Sequence, residues 1–66
     1  MSMKVNGAKI KEIRESQGLS REHLAIKAGV TAQAVYSWEG GNVGTFTTLG
    51  KVAQALGVPE QELIEA

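Results

Sequence analysis

His23 is the only histidine in the chain of 66 residues, cysteine is absent, and all seven acidic residues are glutamates scattered along it. General acid–base or nucleophilic chemistry needs such groups to converge with matched protonation states, so this stock argues against an enzyme. No metal is expected either, because His23 has no second ligand at metal-binding spacing and no thiolate is present to complete a site. Side chains that recognise surfaces through hydrogen bonds are better represented. Gln33 carries an amide that can bond adenine N6 and N7 together, and Tyr36 and Ser37 are further hydrogen-bonding candidates just beyond it. Such an amide discriminates between base pairs only when a rigid element carries it into the major groove of DNA.

The element is legible in residues 20–39, SREHLAIKAGVTAQAVYSWE. Ala25 is small enough for a second helix to cross close by. Gly29 can adopt the left-handed conformation that ends a first helix, and Val35 fills the crossing point. Ser20 and Thr31 are N-caps for the two helices, and Gly40 with Gly41 ends the second. Leu24, Ala25 and Ala28 share one face of the first, while Val35 and Trp38 point inward from the other and leave Gln33, Tyr36 and Ser37 outward. The spacing therefore describes a helix-turn-helix whose second helix presents Gln33 on its first turn.

Around it the pattern supplies three more helices. Asn6 and Gly7 open one over residues 8–17, with Ile10 and Ile13 inward and Gly18 as its stop. Thr45 caps another in which Phe46, Leu49, Val52, Ala53 and Leu56 recur with helical period. After Gly57 and Val58, Pro59 suits the first turn of a last helix, where Glu60 and Glu62 favour the positive end and Leu63 and Ile64 form the apolar side. The fold class expected is all-α, a compact bundle of five helices in a single domain over residues 1–66. With no cysteine the chain depends on packing alone and fits a reducing compartment, the cytoplasm. No apolar run is long enough to span a membrane. The net charge is zero but unevenly spread, with a sum of +3 over residues 1–30 and −3 over residues 31–66.

Three segments in this order, IKEIRESQGLSREHLAIKAGV, VYSWEGG and TLGKVAQALGV, resemble the Cro and lambda-repressor (XRE-type) helix-turn-helix domain over nearly the whole chain. The resemblance implies a five-helix DNA-binding domain that works as a homodimer on a palindromic double-stranded operator, as a small transcriptional regulator and most often a repressor. It implies that Thr31, Ala32, Gln33 and Ser37 face base edges, that Arg21 touches phosphate, and that Arg14 pairs with Glu39. Tyr36 and Asn42 are assigned to phosphate as neutral donors. The loop after the third helix is often basic in that family, whereas residues 40–44 here are Gly, Gly, Asn, Val and Gly. No cofactor and no small-molecule ligand is implied. The alternative is a protein-interaction module on the same fold, an antitoxin-like or polymerase-binding partner, which the zero net charge favours. Leu63 and Ile64 are expected either to close the monomer core or to supply part of a dimer contact.

Overall fold

The computed structural model describes residues 4–65. Four α-helices follow in order: α1 (Gly7–Ser16), α2 (Arg21–Ala28), α3 (Ala32–Glu39) and α4 (Phe46–Leu56). Each begins at a small polar residue whose side chain accepts a first-turn N–H. Asn6 accepts from Lys9, Ser20 from His23, Thr31 from Ala34 and Thr45 from Thr48. These bonds satisfy donors that no helix can satisfy internally, which is why the starts were readable from sequence. The turn between α2 and α3 closes at Gly29, with φ 72° and ψ 34°. The Val30 N–H then reaches back 2.9 Å to the carbonyl of Ala25, the bond that a left-handed residue after a helix makes possible.

Packing around this pair builds one core. Ile10, Leu24, Val35, Leu49, Val52 and Leu63 are fully buried, and Ala25 and Trp38 lie beside them. α3 packs on α1 and α2, and α4 packs on α2. Gly7 is where α1 meets the end of α3: a Cβ there would collide with the carbonyl oxygen of Glu39 and lie 2.7 Å from the backbone nitrogen of Gly41. Only hydrogen fits at that contact.

The expected five-helix bundle is corrected, among the described residues, to four α-helices and a single 3-10 turn. The segment after Pro59 makes only the turn Glu60–Leu63, with Pro59 outside it in extended geometry at φ −68° and ψ 149°. Four residues gain too few internal bonds to offset helix nucleation, and the following backbone has another partner. Ile64 pairs with Val5 as an antiparallel bridge. Asn6 donates to the carbonyl of Leu63 at 2.8 Å, and Glu65 donates to that of Lys4 at 2.9 Å. The turn nonetheless inserts Leu63 completely into the monomer core, with Ile64 packed against it. Leu63 therefore has no surface left for a dimer contact.

Two further differences concern the core boundary. α1 lies one residue earlier than the expected 8–17, with Gln17 as its C-cap. Phe46, expected on the apolar stripe of α4, is 65% exposed. It occupies the first position of the helix, at the rim of the stripe, and Val43 from the preceding loop is buried instead.

Candidate nucleic-acid interface

Thr31, Gln33, Tyr36 and Ser37 are exposed and Ala32 is half-buried, on the side of α3 away from Val35 and Trp38. The helical repeat alone produces this division, since residues three and four apart share a face. Thr31 is occupied as a cap, its Oγ1 accepting the Ala34 N–H at 3.3 Å. Its hydroxyl proton remains a donor. Gln33 makes no side-chain hydrogen bond among the described residues, so its amide needs no internal partner to be broken before it meets another surface.

Behind this face lies a set of charges that joins three helices. Arg14 is buried, 6% exposed, and its Nε donates to Glu39 Oε2 at 2.5 Å. A terminal nitrogen of the same guanidinium donates to the carbonyl of Leu19 at 2.7 Å. The pairing that the family resemblance implied for Arg14 and Glu39 is therefore present in the geometry, and it ties α1 and the α1–α2 turn to the end of α3. The Glu39 side chain is 7% exposed and its second oxygen accepts from Arg21 Nε at 2.9 Å. Arg21 also lies over the Tyr36 ring, with its Cζ 4.3 Å from the ring centre. The hydrogen bond to Glu39 is the main reason that the Arg21 guanidinium is held above its ordinary pKa, and partial desolvation opposes it.

Sequence reasoning found Arg21, Tyr36 and Glu39 separately but missed that Arg21 touches both of the others. Arg21 opens α2 and Glu39 closes α3, eighteen residues apart, and only the crossing of the two helices brings them together. The long pairing of Arg14 with Glu39 had a signal only in the family resemblance.

The loop of residues 40–44 behaves differently from a loop that offers its amides outward. Gly40, Gly41 and Asn42 donate their N–H groups to the carbonyls of Tyr36, Trp38 and Ser37, closing the end of α3. Asn42 is exposed, so its side-chain amide is what it can offer to a partner. Among the described residues Lys11, Lys27 and Lys51 have no carboxylate within 4.0 Å. An open groove of about 290 Å³ between α2 and α4 is lined by Lys27, Ala28, Lys51, Gln54 and Ala55, none of which belongs to the α3 face. Among the described residues no group of three His, Cys, Asp or Glu side chains could hold a metal ion. No helix among them is long and apolar enough to cross a membrane.

The helix-turn-helix family model HTH_3 matches residues 10–63. Among solved structures, the restriction-modification controller protein C.AhdI from Aeromonas hydrophila is 32% identical, with a TM-score of 0.78 over 85% of this chain and 86% of that one. An HTH_3 family transcriptional regulator from Vibrio cholerae is 29% identical, with a TM-score of 0.77 over 86% of this chain and 33% of its own. The hydroxypropylphosphonic acid epoxidase from S. wedmorenis is 30% identical, with a TM-score of 0.82 over 98% of this chain and 36% of its own. The chain thus spans about a third of the length of the last two. No match to the sequence is found among curated proteins.

Proposed function

The chain belongs to the helix-turn-helix family HTH_3, and from that premise we propose that it is a repressor that lays α3 in the major groove of a palindromic DNA operator as a homodimer. Members of this kind are sequence-specific DNA-binding regulators of transcription, and this chain is one of them. Repression asks no more of such a protein than occupancy of a site that polymerase must use. The cytoplasm is the compartment that a cysteine-free regulator of this kind fits.

One observation carries the reading. The capped, tightly turned α2–α3 pair holds an exposed Gln33 on the first turn of α3, directly opposite the buried Val35 and Trp38. The core fixes the helix, and the helix fixes the amide. In the groove Gln33 contacts adenine, Ala32 offers a methyl to thymine, and Thr31 and Ser37 supply hydroxyl groups to neighbouring base edges. Arg21, Tyr36 and the side chain of Asn42 hold phosphates and set the register, without adding sequence information directly.

Selection of bound sites from random duplex DNA at two salt concentrations tests this reading. A palindromic consensus is expected, because two identical subunits on a two-fold axis read the same half-site twice. Counting Arg21 and one lysine, Lys27 or Lys4, as the charged contacts of each subunit, a dimer neutralises about four phosphates and the log–log salt slope should be about −4, since each contributes about 0.9. Gln33→Ala should cost about 1–3 kcal/mol per half-site and relax preference at one base pair. If no duplex is bound above the non-specific level at low salt, a protein partner becomes the better reading. The zero net charge is the observation that favours it. The same fold within about a third of an epoxidase chain is a reminder that a fold alone does not assign a function.

A further inference from the structure

We propose that Glu39, Arg21 and Tyr36 form one phosphate clamp, in which Glu39 and the Tyr36 ring fix the Arg21 guanidinium so that it and the phenol hydroxyl grip the same backbone phosphate. The inference rests on the reading of α3 as the recognition helix. It goes beyond that reading by making Glu39 a positioning residue and by joining two contacts into one.

Two contacts in different directions define the position of the guanidinium. The bond from Nε to Glu39 Oε1, 2.9 Å long, sets its direction within its own plane. Its seat 4.3 Å above the Tyr36 ring restricts the plane itself. The anchor is rigid in turn. Glu39 has a side chain only 7% exposed, and Arg14, 6% exposed, holds its other oxygen while donating to Leu19. A surface arginine ordinarily loses rotamer freedom when it meets a phosphate. Here much of that ordering is already complete in the folded chain.

The same contacts reserve the terminal N–H groups of the fork for an anion, because Nε–H is the donor given to Glu39. Tyr36 is 57% exposed and lies on the outward side of α3 with Gln33, so the side chain belongs to the surface that the groove reading uses. The Glu39 carboxylate lies between two guanidinium groups and the exposed Glu15 carboxylate lies 3.8 Å from Arg14, so the charges balance over the set and the pull on a phosphate is that of the partly exposed Arg21 fork. The selectivity of the clamp comes from its planar geometry. A lysine at position 21 would keep the charge but could not bond Glu39, cover the ring and present a fork together.

The test measures affinity for the duplex selected from the random pool, with circular dichroism confirming that each variant is folded. Arg21→Lys is expected to bind about tenfold more weakly than wild type, as Arg21→Ala does, since a charge-assisted contact is lost in both. Tyr36→Phe is expected to lose affinity several-fold in the wild-type background and much less beside Arg21→Lys. Replacing single phosphates by neutral methylphosphonate should identify one position at which both variants cease to differ from wild type. Arg21→Lys binding within twofold of wild type would show that a point charge suffices and would overturn the clamp. Two different phosphates, or equal losses from Tyr36→Phe in both backgrounds, would overturn it as well. Absence of specific binding by the wild type would instead refute the DNA reading, and the clamp with it.

Discussion

Gly7→Ala places a methyl group where the backbone of another helix already stands. The added Cβ would collide with the Glu39 carbonyl oxygen and come within 2.7 Å of both the Glu39 carbonyl carbon and the Gly41 nitrogen. These are backbone atoms, so no side chain can rotate away. Carbon atoms rest about 3.5–4.0 Å from their neighbours, so α1 and the end of α3 must separate by about 1 Å. Forcing a methyl into a filled contact costs about 1–3 kcal/mol. Alanine recovers at most about 1 kcal/mol of helix propensity over glycine, and less in a first turn. A net loss of about 2 kcal/mol is reasonable where the obstacle is backbone. In a domain of this size each kcal/mol moves the melting temperature by about 4–8 °C, so a fall of roughly 8–16 °C is expected. Thermal unfolding followed by circular dichroism measures it. Gly44→Ala is the control, because nothing lies within 4 Å of its Cβ position and its φ is not positive. That variant should melt close to wild type. The separation would also shift Glu39, so affinity for the selected duplex should fall along with stability. A Gly7→Ala protein that melts at or above wild type would refute the close approach of the two helices and the account of how α1 fixes the recognition helix.

Glu39→Ala leaves the buried Arg14 with only the exposed Glu15, 3.8 Å away, as an anion, and should lower stability by about 3 kcal/mol in urea unfolding, the lower end for breaking a buried pair. Arg14→Met combined with Glu39→Leu should recover much of that loss, and additive effects would mean that the pair does not couple. The Cβ that Gly29→Val adds meets no atom within 4 Å, but the residue must hold φ at 72°, so it should lose about 1–2 kcal/mol from backbone strain. An unchanged midpoint would discredit the left-handed turn. Phe46→Gln, at a 65% exposed position, should alter stability by no more than about 0.5 kcal/mol. Leu49→Ala, three residues further into the same helix and fully buried, should lose about 2–5 kcal/mol; equal losses at both sites would overturn the assigned core boundary.

What the sequence determined by itself is local and periodic. Asn6, Ser20, Thr31 and Thr45 start helices because each side chain bonds an N–H only three residues away. Gly29 ends α2 because its own dihedral angles allow it. Val35 and Trp38 face the core, and Gln33 and Ser37 face away, because one helical repeat assigns all four. Tertiary structure decided whatever depends on segments distant along the chain. The C-terminal residues carry helix-compatible types after Pro59, yet Ile64 finds Val5 across nearly the whole sequence and the backbone becomes extended. Val43 is buried and Phe46 exposed because the rim of the core is set by how α4 lies on its neighbours. Glu39 joins Arg14 and Arg21 over separations of 25 and 18 residues, and Gly7 is required by the backbone of a helix it does not belong to. Periodicity records which way a side chain points along its own helix; which other helix it meets, and how closely, is fixed only when the helices cross.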